Sequence, residues 1–86
     1  MVIMKLLYFA WLRTKIGVSQ EEVAPPDEVR DVASLIGWLQ TRGPNFADAL
    51  KNPAVVRVAV NQEYVRPGHP LTAGDEVALF PPVTGG

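Results

Sequence analysis

The sequence contains no cysteine and a single histidine in 86 residues. Without cysteine there is no disulfide framework and no thiolate metal site. Without a second histidine there is no His-pair metal site either. The lone His69 falls between Gly68 and Pro70, where a loop residue making a local hydrogen bond is expected. Net charge is −1 and no basic run occurs, so the electrostatic footprint of nucleic-acid binding is missing. Gly17, Gly37 and Gly43 stand alone and do not form a phosphate-cradling loop, so this chain is not expected to bind ATP, a cofactor or a metal by itself. No apolar stretch approaches the length of a membrane span. The run from Leu6 to Leu12 follows Lys5 but is too short for a secretory leader. It meets Arg13 and Lys15 directly, lacks a small-residue cleavage site, and reads as a strand.

What is present is a chain 48% apolar and 20% charged, the balance of one folded domain and not of a disordered segment. Met1 to Trp11 predicts a first strand, central because both its faces are apolar. Arg13 to Ser19, containing Gly17, reads as a turn, and Gln20 to Ala24 as a second strand in a hairpin with the first. The clearest helix has Asp31 as N-cap, because Val32, Leu35, Ile36 and Leu39 recur at helical spacing. Arg42 is expected in its last turn and Gly43 just past its end. Gly37 either weakens this helix or permits close packing on the sheet. Asn45 to Lys51 predicts one or two further helical turns. Val55 to Val60 predicts a third strand, Asn61-Gln62 a turn, Glu63 to Val65 a short strand, 66–70 a loop, Ala73-Gly74-Asp75 a tight turn and Glu76 to Phe80 the last strand. Asp27, Glu28 and Asp31 favour the helix dipole, and Asp75 and Glu76 serve a turn and a solvated strand start; none is expected as a general acid.

This β-β-α-β-β-β order is an α+β arrangement, a mixed sheet with one main helix packed on one face. It is the order of the β-grasp, or ubiquitin-like, fold, in which the first and last strands lie parallel in the centre. Residues 1–80 form the domain and 81–86 an extended C-terminal tail.

The tail, Pro81-Pro82-Val83-Thr84-Gly85-Gly86, is expected to carry the chemistry at its terminal carboxylate. Glycine has no Cβ, so a narrow channel can close on Gly85 and Gly86 and a reacting group can approach the last carbonyl. The prolines stiffen the root and discourage folding back. Fully extended, the tail could reach roughly 20 Å from the domain. The lack of cysteine suits a chain that bears an activated acyl group, though it is also ordinary in a small cytosolic protein. Phe9 and Phe80 become neighbours if the first and last strands pair. Either both rings are core, or they lie on the sheet face that the helix leaves open, an apolar surface that marks a protein interface. Tyr64 extends the same face.

Val60-Asn61-Gln62 and the block from His69 through Pro70-Leu71-Thr72-Ala73-Gly74-Asp75-Glu76 to Phe80-Pro81-Pro82-Val83-Thr84-Gly85-Gly86 resemble the small subunit of molybdopterin synthase, the MoaD family. Lys5-Leu6-Leu7-Tyr8-Phe9-Ala10, with Arg13 and Gly17, is similar too, so the likeness spans nearly the whole chain. Ala73, where an acidic residue is expected, and Leu79, where an aromatic is common, depart from the pattern and bear on loop detail and interface packing. The resemblance implies a cytoplasmic, non-catalytic sulfur-carrier subunit. A separate ubiquitin-activating-type enzyme uses ATP to adenylate Gly86, and a sulfurtransferase converts it to a thiocarboxylate. The large synthase subunit then supplies the active site for sulfur transfer to a pyranopterin precursor in molybdenum cofactor biosynthesis, with two small and two large subunits in the assembly. Phe9, Tyr64, Phe80, Pro81, Pro82, Val83, Thr84 and Gly85 are the expected partner contacts; neither nucleic acid nor membrane is one. Two alternatives share the fold: a sulfur carrier for thiamine or transfer-RNA thiolation, and a ubiquitin-like modifier or interaction module.

Overall fold

The computed structural model describes residues 3–81. Five strands, β1 (Met4–Tyr8), β2 (Gln20–Val23), β3 (Arg57–Val60), β4 (Glu63–Val65) and β5 (Glu76–Phe80), form one mixed sheet in the order β2-β1-β5-β3-β4. β1 and β5 pair in parallel, with Leu6 opposite Val77 and Tyr8 opposite Leu79. The other three pairings are antiparallel. Three helices, α1 (Ala10–Ile16), α2 (Val32–Gln40) and α3 (Pro44–Ala49), precede a 3-10 turn at Pro53–Val55. Met4, Leu6, Tyr8, Val58, Val60, Val77 and Leu79 point from the sheet into one core with Leu12 and Ile16 of α1, Leu35 and Leu39 of α2, and Phe46 of α3.

The order of strands matches the sequence reading, but α1 is an additional element. β1 ends at Tyr8, and the segment read as strand end and turn is helical. Leu12 and Ile16, one helical turn apart, are both buried, and Gly17 stops the helix in the left-handed region (φ 100°) with its N–H donated to the Arg13 carbonyl at 2.8 Å. A seven-residue helix between two paired strands leaves little periodicity to read.

α2 begins as expected. The Ser34 N–H donates to Asp31 Oδ1 at 2.8 Å and the Asp31 N–H donates to Ser34 Oγ at 3.1 Å, a reciprocal cap. The Ser34 hydroxyl, then its backbone N–H, hold the Asp31 carboxyl below its usual value. The C-terminal end differs. α2 stops at Gln40 with Thr41 as its cap, so Arg42 lies outside it and Gly43 is instead the N-cap of α3, with Pro44 in the first turn. Gly37 is exposed, and a Cβ there would meet nothing within 4 Å. It therefore serves no close packing on the sheet. β3 starts at Arg57, two residues later than expected, because Pro53 opens the 3-10 turn and the Val55 and Val56 N–H groups donate back to Asn52 and Pro53. The Asn61-Gln62 turn closes the β3–β4 hairpin with both residues at positive φ, 51° and 73°. Asp75 accepts from the Thr72 N–H and from Asn61 Nδ2, as a turn residue should. His69 makes a local backbone hydrogen bond, donating its N–H to the Arg66 carbonyl, and a long-range one, its carbonyl accepting from the Val32 N–H at the start of α2.

Candidate functional site: the open face of the sheet

Alternation along the strands places Lys5, Leu7 and Phe9 opposite to the core-facing Met4, Leu6 and Tyr8. The ladder aligns these with Glu76, Ala78 and Phe80 of β5, with Arg57 and Ala59 of β3, and with Tyr64 of β4. Among the described residues no helix covers this side. It divides along the strand direction. At one end Glu22, Lys5 and Glu76 form a charged row in register. At the other end the face is apolar, and β5 leads from there into Pro81.

The apolar end is built on three rings. Phe9 and Phe80 stack nearly parallel, with centroids 4.6 Å apart and an interplanar angle of 9°. Tyr64 tilts against Phe80 at 5.8 Å. Phe9 is 41% and Tyr64 66% exposed, and Phe80 is half-buried, so none of the three belongs to the core. The choice left open in the sequence is resolved on the side of a surface. Ala59 and Ala78, in register between the larger neighbours Leu7 and Tyr64, are buried even on this face. Arg57 stands opposite Phe80 and supplies a cation in that row. Leu7, Arg57, Ala59 and Ala78 were not singled out in the sequence. The period-2 spacing of Leu7 from Phe9 and of Ala78 from Phe80 was the available signal; Arg57 and Ala59 required the β3–β5 register.

Leu79, marked in the sequence as bearing on interface packing, is fully buried among the helices. It fills the core, and the open face resumes one residue later at the half-buried Phe80. Pro81 is half-buried. The expectations for Pro82, Val83, Thr84, Gly85 and Gly86 lie outside the described residues.

The other face carries the strongest electrostatic feature. Burial, followed by its hydrogen bond to Glu21 Oε2 at 2.6 Å, pushes the Tyr8 phenol pKa well up from its usual value. Arg42 Nη1 reaches the same carboxylate oxygen at 2.8 Å and its guanidinium packs over Phe46 and Trp38. This network ties the strand edge to the segment joining α2 and α3 and does not border the aromatic row. Among the described residues no cluster of three metal-ligating side chains exists, and no helix is long and apolar enough to cross a membrane. An open hollow of about 400 Å³ between α2, the Pro53–Val55 turn and Tyr64 is lined by no carboxylate and no histidine.

The ThiS family matches residues 6–86. The molybdopterin synthase sulfur carrier subunit of Escherichia coli strain K12 is 43% identical over 82 residues, covering 95% of this chain and 98% of that protein. A solved Pyrococcus furiosus structure, designated molybdopterin converting factor subunit 1, superposes with a TM-score of 0.77 at 35% identity, over 96% of this chain and 100% of that one. A chain from the complex of subunits 1 and 2 of molybdopterin-converting factor of Helicobacter pylori shares the fold at 22% identity, with a TM-score of 0.65 over 99% of this chain and 100% of that one. The β-grasp architecture, its parallel central strand pair and the near-full-length match agree: this chain belongs to the ThiS family and stands within it beside the molybdopterin synthase sulfur carrier subunits.

Proposed function

We propose that this chain is the sulfur-carrying small subunit of a molybdopterin synthase, and that the open apolar face is its partner contact. The observation that carries the reading is the Phe9–Phe80–Tyr64 row at the root of a tail ending in Gly85-Gly86, in a chain 43% identical to such a carrier over its length. An exposed apolar patch with a charged row behind it is suited to docking a protein surface.

The chemistry lies at Gly86. A carboxylate resists nucleophiles, so an oxygen of Gly86 first attacks the α-phosphate of ATP on a ubiquitin-activating-type enzyme, releasing pyrophosphate and leaving an acyl-adenylate. A sulfurtransferase persulfide attacks that carbonyl and AMP departs. A thiol then reduces the S–S bond, and the thiocarboxylate stays on Gly86. The large subunit receives the tail, with Gly85 and Gly86 in the narrow part of its channel and Pro81, Pro82, Val83 and Thr84 along the approach. It supplies the acids and bases for sulfur transfer to a pyranopterin precursor. The assembly contains two small and two large subunits, and the carrier works in the cytoplasm, where ATP is available for activation. The relative's designation as a subunit supports a large-subunit partner; the adenylating enzyme and sulfurtransferase follow from the chemistry a carboxylate needs.

Intact-mass measurement of protein isolated from cells making molybdenum cofactor tests the reading. A population heavier by the exchange of one oxygen for one sulfur, localised to the C-terminal peptide, is expected. Only the unmodified mass, in cells whose cofactor synthesis depends on this chain, would refute the carrier role.

A further inference from the structure

Ala10 has φ 55°, in the left-handed region that a residue with a Cβ enters at a cost. Two other non-glycine residues among those described share this sign, Asn61 and Gln62, and the two-residue hairpin between β3 and β4 requires it of them. No hairpin turn accounts for Ala10. Its neighbours do. Phe9, just past β1, is still extended, with φ −120° and ψ 152°, and its N–H donates to the Leu79 carbonyl at 3.2 Å. Leu12, on the inner side of α1, is fully buried, and its N–H donates to the Phe9 carbonyl at 3.2 Å. The chain must leave Phe9 on the open face and bring Leu12 into the core with only two residues between them. One left-handed residue makes that change of direction.

We infer that Ala10 is a positioning residue for the partner surface: its left-handed backbone holds Phe9 flat against Phe80, so the apolar platform at the root of the tail is formed before a partner arrives. This rests on the reading of Phe9 and Phe80 as partner contacts. Local strain persists where the surrounding structure fixes it, and such strain concentrates at functional sites. Here the gain is preorganisation. A ring already stacked loses little freedom on binding, whereas a free one must be ordered by the partner.

A substitution series at position 10 separates positioning from mere structural tolerance. Ala10→Gly and Ala10→Asn accept positive φ, and Ala10→Val does not. Two readouts are needed: NMR ring-current shifts and cross-peaks between Phe9 and Phe80 in the free protein, and calorimetric affinity for the molybdopterin synthase large subunit. The Gly and Asn variants should keep the ring contact and bind within about twofold of the parent. The Val variant should lose the contact and bind at least about tenfold more weakly while circular dichroism reports an intact fold. In a Phe9→Ala background, Ala10→Val should change affinity by less than about twofold, because its effect runs through Phe9. If Ala10→Val does not fold, Ala10→Thr, β-branched but less apolar, replaces it, with a loss in the same direction. A preserved ring contact in the Val variant (or the Thr variant that replaces it), or an equal loss of affinity with and without Phe9, overturns the role of Ala10. Unchanged binding in both Phe9→Ala and Phe80→Ala overturns the partner reading itself, a separate outcome.

Discussion

The two faces of the sheet are made by the same strands from alternate residues, and they differ in burial. On the covered face Leu6, Val77 and Leu79 have no measurable exposure and pack among three helices. On the open face Leu7, Phe9, Phe80 and Tyr64 are half-buried or exposed, and two of the rings stack on each other with no helix above them. Fully burying an aliphatic side chain contributes about 1.5–3 kcal/mol each, so the covered face can supply the stability. Residues on the open face are then free to be chosen for what binds them. Leu79 and Phe80 show the contrast most closely, because one peptide bond separates a core residue from a residue of the open face.

That pair gives the largest expected effects. Leu79→Ala should destabilise the fold by about 2–5 kcal/mol, since a fully buried leucine leaves a cavity among the helices. Urea unfolding checks this, and a loss under about 1 kcal/mol would show that the covered face is not the source of stability. Phe80→Ala should lower stability by less than about 2 kcal/mol yet weaken binding to the synthase large subunit at least tenfold, about 1.4 kcal/mol or more. Calorimetry on the folded variant decides it; unchanged affinity would remove the functional difference between the faces.

Tyr8 sharpens the same comparison, because it is a polar group on the covered face. Tyr8→Phe should cost about 1 kcal/mol near neutral pH by removing the hydrogen bond to Glu21. Burial raises the folded-state pKa of this phenol, so its share of stability is fully present below its unfolded value of about 10 and is lost as pH rises above it. The parent should therefore lose stability more steeply than Tyr8→Phe above about pH 10, as thermal melts across the alkaline range would show. Parallel profiles would mean that another group governs the alkaline limb.

The smallest effect lies away from both faces. Gly37→Ala should stabilise the protein by about 0.5–1 kcal/mol, because the position is helical and a Cβ there meets only open space. Affinity for the large subunit should not change. Destabilisation would restore the close-packing role that the sequence alone left open.

Much of this arrangement was legible because local signals agreed with one another. Val32, Leu35, Ile36 and Leu39 announced α2, Asp31 announced its cap, and Glu76 to Phe80 announced β5, each borne out. α1 was missed because seven residues carry one helical pair, and Leu12 falls in a run that reads as strand while Ile16 falls in a segment that reads as turn. Gly43 was assigned to the wrong helix because a glycine suits the end of one helix and the start of the next equally well. At the site, Phe9, Phe80 and Tyr64 were chosen from their position along the strands, and the structure brings the three rings together on the open face.

By itself the sequence determined the alternation of faces, the helix cap, the hairpin turn at Asn61-Gln62 and the composition of the tail, all matters of near neighbours along the chain. Tertiary structure decided which rows meet. Phe9 and Phe80 are far apart in sequence and touch because β1 and β5 pair in parallel, with register set by packing Leu6, Tyr8, Val77 and Leu79 into one core. It also decided that Ala10 must turn left-handed. That demand arises only where the strand ladder holds Phe9 on one side while the core draws Leu12 to the other, and no local preference of alanine encodes it.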